Sequence, residues 1–171
     1  MQQTITSAKT SINSKRFPAI YNKLDWLALK QNAKHFNPVV LDIGAGRYIE
    51  HIKEFVESKG FTYAPYDPYN LPKSVNVLSL RLEPDVIICS NVLNVIKEDD
   101  VIHNLHVMIR IRRCPFFITV YQGNKTSVGA STMNGQSYQR NAPLSSYIFS
   151  EQDITYRNVL TSNIYKKYII K

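Results

Sequence analysis

Residues 39–46, Val39-Val40-Leu41-Asp42-Ile43-Gly44-Ala45-Gly46, decide how this chain folds. The first five form a short apolar run rich in β-branched residues, the pattern of a buried strand. It stops at two glycines one residue apart. Beyond them Ile49, Ile52, Phe55 and Val56 recur at helical spacing. Strand, glycine turn and helix are therefore predicted in that order. Gly60 is placed to end the helix as its C′ residue. Phe61–Ala64 then predicts a second strand, which runs into Tyr66-Asp67-Pro68-Tyr69.

Further downstream, Val75–Leu80, edged by Pro72 and Pro84, predicts a short third strand. Asp85–Ser90 is the clearest strand of all. It leads through Asn91–Ile96 and the acidic turn Lys97-Glu98-Asp99-Asp100 to a helix with Val101, Ile102, Leu105, Met108 and Ile109 on one side. Pro115 precedes a strand over Phe116–Tyr121. Residues 122–146 are polar and aperiodic, and loops of that length in compact domains tend to be functional or disordered. The tail predicts two strands, YRNVL and IYKKYII, joined at Thr161-Ser162-Asn163. Upstream, a helical pattern over 16–36 carries Ile20, Leu24, Leu27 and Leu29 and is broken by Asn37-Pro38. Residues 1–15 are Ser/Thr/Gln-rich and are expected to form a flexible basic arm, with 16–171 as one domain. Alternating strands and helices closed by a terminal hairpin give an α/β fold with a mostly parallel sheet.

Composition narrows the function classes. The chain has 171 residues, 44% hydrophobic and 20% charged, which suits one soluble domain. No apolar run long enough to span a membrane exists, and the polar start lacks a secretory pattern, so a cytoplasmic location is expected (the host cytoplasm if phage-encoded). Cys89 and Cys114, in apolar contexts and without CxxC spacing, are expected to be reduced core residues. His103 and His106 share a predicted helix with no acid or cysteine placed to complete a metal site, so no metal is expected. Segments 1–40, 41–100 and 101–171 carry net charges of +5, −4 and +7. Two basic flanks thus bracket an acidic middle, and a face on which they converged would attract phosphate-bearing partners. A solvated basic surface accounts for them equally well.

The chemistry-bearing constellation is Asp42, Gly44 and Gly46 followed, 21 residues after Gly46, by Asp67. A glycine turn lets backbone approach a ligand closely, and an acid ending the second strand can take both hydroxyls of a ribose. Dinucleotide enzymes place a third glycine where Ile49 stands here, which counts against a nucleotide-sugar or dinucleotide enzyme. Asp42, just before the glycines, is unfavourable beside a pyrophosphate but suits a cationic ligand. S-adenosylmethionine (SAM), with its sulfonium and ammonium and no phosphate, is favoured on these electrostatic grounds. Asp67 could instead simply start an Asp-Pro turn, and Asp42 could cap the helix.

VVLDIGAG resembles the first motif of class I, Rossmann-like SAM-dependent methyltransferases. YDPYN resembles their second-strand acid motif, and DVIICSNVLNVI resembles their fourth-strand region. The resemblance covers residues 38–121 and is nearest to the small stand-alone methyltransferases of phage and mobile-element genomes. It implies a three-layer sandwich whose seven-stranded sheet has the order 3-2-1-4-5-7-6. It also implies that Asp42, Gly44 and Gly46 flank the methionine moiety, that Asp67 holds the ribose, and that the segment containing Leu78 and Ser79 lines the adenine. Asn91 would face the methyl group and acceptor.

Methyl transfer by in-line displacement needs alignment more than a catalytic dyad. Asn91 and Tyr121 are the candidate catalytic residues, and Asn94, Tyr138 and Arg140 the candidate acceptor contacts. The Pro-Pro-aromatic part of the DNA amino-methyltransferase motif is absent after Asn91, as is a cysteine nucleophile for cytosine C5 methylation. A small polar or nucleic-acid acceptor remains open, through Lys9, Lys15, Arg16 and Lys23 or through Arg110, Arg112 and Arg113. The alternative is a catalytically inactive SAM-fold module that binds nucleic acid or protein. Oligomeric state has no sequence signal here.

Overall fold

A computed structural model describes residues 18–132, 135, 137–147, 156–160 and 163–168. In chain order, the main elements up to the fourth strand are α1 (Trp26–Gln31), β1 (Val39–Ile43), α2 (Glu50–Ser58), β2 (Thr62–Tyr66), α3 (Lys73–Arg81), β3 (Val86–Ser90), α4 (Asp99–Arg110) and β4 (Phe116–Val120). After them come β5 (Ala130–Thr132), β6 (Ser137–Gln139), β7 (Tyr156–Leu160) and β8 (Asn163–Tyr168). One six-stranded sheet has the order β2-β1-β3-β4-β8-β7, and β5 and β6 form a separate pair. β2, β1, β3 and β4 run parallel, while β8 and β7 join antiparallel at the β4 edge. The α/β class, the parallel core and the terminal strands match the sequence-based expectation.

Parallel strands covered on both faces are apolar throughout. All five residues of β1 and of β4 are buried, including Asp42 and Thr119. Alternation divides the core between two layers. Val39, Leu41 and Ile43 join Ile87, Cys89, Ile118 and the α4 residues Ile102 and Ile109. Val40, Ile88 and Phe117 join Trp26, Leu29, Ile52, Val56 and Tyr63 on the α1/α2 side. Cys89 and Cys114 are free and buried, as expected.

Three expectations are corrected. The sheet has six strands rather than seven, because Val75–Leu80 lies within α3 instead of forming a strand. Its burial is inverted relative to its sequence: Asn76 and Ser79 are buried, while Leu78 is 62% exposed. The cause is Asn76. Its Oδ1 accepts from the Asp67 N–H at 2.8 Å, and its Nδ2 donates to the Asp67 and Leu71 carbonyls, both at 3.1 Å. Pro65 contributes from the other side. The Thr62 N–H and the Tyr66 carbonyl bond inward to Pro38 and Gly44. Period two therefore turns position 65 outward, where proline has no N–H to offer a further strand.

The long helix over 16–36 resolves, among its described residues, into a short 3₁₀ turn, Ala19–Asn22, and the six-residue α1. Asp25 accounts for the break, since its side chain caps α1 by accepting from the Ala28 N–H. The segment 122–146 is not structureless either: it contains the β5/β6 hairpin and a 3₁₀ turn at Leu144–Tyr147. The arm at 1–15 lies outside the described residues.

Candidate functional site

The chain leaves β1 through α2 to β2 on one side, then returns through α3 to β3 on the other side of β1. Strand order reverses there, and in open α/β sheets ligands bind at the carboxyl ends of the strands beside such a reversal. The turns bordering this expected crevice are the one after β1, with Gly44 and Gly46, and the one after β3, with Asn91 and Val92, and Gly44 and Val92 close on each other there.

Both glycines have φ +73°, a left-handed conformation that strains any residue with a Cβ. Gly44 is doubly constrained. Its N–H donates to the Tyr66 carbonyl at 2.7 Å, and a Cβ there would run into the Val92 side chain. Nothing lies within 4 Å of a Cβ built on Gly46, so its backbone faces open space. A ligand can therefore approach the Gly46 backbone closely.

Asp67 follows β2 and is buried. Its Oδ2 accepts from the Gly46 N–H and from Asn70 Nδ2, each at 3.0 Å. Its Oδ1 accepts from the Tyr69 and Asn70 N–H groups, also at 3.0 Å. The carboxylate both forms the local turn and ties it to the glycine loop. Asn70 and Asn76 are the residues sequence reasoning missed here. An asparagine three residues after the Asp of an Asp-Pro pair, and another inside an otherwise apolar run, are the signals that could have found them.

Asp42 points into the α1/α2 layer, where Tyr63 Oη donates to its Oδ2 at 2.7 Å. Burial raises its pKa from 3.8 to about 6, against the opposing effect of the Tyr63 and Tyr21 hydroxyls. It therefore lies behind the glycine loop, inside the core, rather than at the surface of the loop. Asp85 has a structural task. Its carboxylate accepts from the N–H groups of Lys34, His35 and Val39 and pairs with His35 Nδ1 at 3.0 Å. Burial alone would raise its pKa, but these donors hold it below the usual value.

Asn91, at φ +57°, and Tyr121, 56% exposed, directly follow β3 and β4 at the carboxyl pole. Asn94 is buried and occupied: Oδ1 accepts from the Tyr121 N–H, Nδ2 donates to Gln139 Oε1, and its carbonyl accepts from the Arg140 N–H. The Arg140 guanidinium donates to the Ile96 and Lys97 carbonyls and pairs with Asp99 at 2.7 Å. The Tyr138 ring lies against Gly129, which has no room for a side chain. Asn94 and Arg140 thus anchor the 121–141 segment to the loop after β3 and the start of α4, while the Tyr138 contact lies within the segment. Leu78 and Ser79 lie on α3, not on a strand beside the crevice.

The cluster Arg110, Arg112 and Arg113 lies at the opposite, amino pole of the sheet. Arg112 donates to the Leu80 and Leu82 carbonyls, and Lys34 Nζ reaches the Arg113 carbonyl. Lys23 is exposed near α1, while Lys9, Lys15 and Arg16 lie outside the described residues. Among the described residues, no group of three or more His, Cys, Asp or Glu side chains is arranged to hold a metal. Among the same residues, no helix is long and apolar enough to cross a membrane. No protein-family model matches the chain, and neither does any curated protein.

Proposed function

We propose that the crevice between β1 and β3 binds S-adenosylmethionine and that the protein transfers its methyl group to an acceptor at the carboxyl pole. The observation that carries this reading is the Gly46–Asp67 pair: an open backbone at the glycine turn, 3.0 Å from a buried carboxylate after the neighbouring strand, at the reversal of strand order. The residues present fit such a ligand. The Gly46 turn admits the amino-acid end, the Asp42 carboxylate places negative charge behind a cationic ligand, and Asp67 receives the ribose once the Asn70 side chain, which fills one of its acceptor positions, moves aside. S-adenosylmethionine supplies a methyl group already activated on a sulfonium. The protein contributes alignment and shielding from water, for which Asn91 and Tyr121 are placed.

A second reading is a module that binds the same ligand without turnover. It is favoured by the engagement of Asn94 and Arg140, two of the expected acceptor contacts, with groups of the protein itself. Calorimetric titration with S-adenosylmethionine and S-adenosylhomocysteine tests the cofactor. Binding of both, followed by label transfer from methyl-labelled cofactor, supports the enzyme. Binding without transfer to any acceptor supports the module, and binding of neither overturns both.

A further inference from the structure

We propose that the amino pole of the sheet, at the far end from the glycine turn, docks the protein on the surface of an anionic phospholipid bilayer. Three turns meet at this pole: Lys34-His35-Phe36 ahead of β1, Arg81-Leu82-Glu83 at the end of α3, and Arg110-Ile111-Arg112-Arg113 at the end of α4. Each turn is joined to the other two. The Arg112 guanidinium donates to the Leu80 and Leu82 carbonyls at 2.7 and 3.2 Å, and Lys34 Nζ donates to the Arg113 carbonyl at 3.1 Å. His35 Nε2 lies 3.8 Å from the Glu83 carboxylate. The three turns therefore make one continuous surface. Each presents an apolar side chain to solvent: Phe36 is 98% exposed, Ile111 67% and Leu82 40%. Phe36 also borders a hollow that it shares with Lys30.

Charge and apolar surface alternate within this patch. The three turns hold Lys34, Arg81, Arg110, Arg112 and Arg113 against one exposed carboxylate, Glu83, and Asp85 behind them is buried among its own donors. Large apolar side chains left in water, each beside a cation, mark an interaction surface. A second copy of this chain would bring like charges together, so the partner is anionic. The apolar side chains decide which anion. Nucleic acid presents its phosphates outermost and offers the aliphatic Leu82 and Ile111 little to pack against. A bilayer sets anionic headgroups over an acyl layer, so the cations meet the headgroups while Phe36, Leu82 and Ile111 enter the layer beneath. It also yields to side chains projecting from separate turns, where a folded partner would need a matching pit for each. The attachment is peripheral: side chains enter and backbone does not. Parallel strands put their two ends at opposite poles, so the turns after β1 and β3 face away from the docked surface. The inference does not depend on what the crevice holds.

The test is co-sedimentation of the full chain with vesicles of phosphatidylcholine alone and of equal parts phosphatidylcholine and phosphatidylglycerol. Binding is expected to the mixed vesicles only, and to weaken as salt is raised. Arg81→Ala and Arg113→Ala should each weaken it about 5-fold. Phe36→Ser and Ile111→Ser should each weaken it by about 5- to 50-fold, and Phe36→Leu should retain it. All four side chains are exposed, and unchanged melting temperatures would show that the fold is intact. No binding to the mixed vesicles, equal binding to phosphatidylcholine alone, or serine variants that bind like the parent would overturn the proposal. So would displacement from the vesicles by a short DNA duplex whose own binding Phe36→Ser and Ile111→Ser weaken equally, an outcome that assigns this face to nucleic acid.

Discussion

The backbone N–H of Gly46 donates to Oδ2 of Asp67 at 3.0 Å, joining the turn after β1 to the turn after β2 across 21 residues. The same carboxylate organises its own turn through the Tyr69 and Asn70 N–H groups. Asp67→Ala is therefore expected to do two things. It should lower stability by about 2–4 kcal/mol, because several donors lose a charged partner. It should also abolish S-adenosylmethionine binding. Urea unfolding and calorimetry read the two effects separately, and unchanged cofactor affinity would remove the ribose assignment.

On the proposed reading Asn70 would compete with a ribose for Asp67, since its Nδ2 occupies one acceptor position on Oδ2. Asn70→Ala keeps the backbone N–H that completes the turn and frees that position. S-adenosylmethionine should bind several-fold more tightly to this variant, with S-adenosylhomocysteine following in parallel. Weaker binding of both would mean that Asn70 itself contacts the ligand.

The two glycines differ in a way that unfolding measurements can resolve. Gly46→Ala meets no neighbour and should cost about 1–2 kcal/mol, the strain of a left-handed alanine. Gly44→Ala adds an overlap with Val92, and overpacking typically costs a further 1–3 kcal/mol. Val92→Ala should recover that further part and not the first, which a double-mutant cycle would measure.

Asp42 sets a pH dependence of defined sign. Its folded pKa is raised from 3.8 to about 6 by burial, so over that interval the folded chain holds a proton that the unfolded chain releases. Stability from this group therefore falls as pH rises from about 4 to about 6, and the loss persists above. A shift of that size corresponds to about 3 kcal/mol. Asp42→Asn, which still accepts from Tyr63, should match the parent near pH 4 and exceed its stability near neutrality. A difference independent of pH would contradict the buried acid. Asp85 has the opposite sign: its lowered pKa contributes stability above the ordinary carboxylate range, lost as pH falls through the folded value.

Arg140 fastens the base of the 121–141 segment to the start of α4. Arg140→Ala should speed hydrogen exchange at Tyr121 and across β5 and β6, while leaving exchange in β1 and S-adenosylmethionine affinity unchanged. Arg140→Lys is not expected to restore protection, because one ammonium cannot reproduce the fork that reaches both carbonyls and Asp99.

The strand–glycine–helix unit was legible because three signals coincide there: a β-branched run, paired glycines and helical spacing from Ile49 to Val56. The strands of the terminal hairpin were legible for a similar reason, with YRNVL coinciding with β7. Hydrophobic pattern failed at α3, where Asn76 is drawn inside by the Asp67 backbone and Val77 and Leu78 are left outside. It failed again over 16–36, where one capping aspartate outweighs an apolar period. At the site, Gly44, Gly46 and Asp67 come together as their spacing predicts. Asn94, after a strand, and Arg140, in a long polar segment, looked like ligand contacts, but their partners are protein groups far away in sequence, which no local pattern reveals.

Pro65 protects the chain from its own kind. A strand edge is a template on which other chains can pair, and Pro65, buried at this one, offers no donor for such pairing. The protection has an architectural consequence. Where a further strand would have extended the sheet, a helix stands instead, so that flank of the carboxyl pole is bordered by the side chains of α3 rather than by a backbone rim.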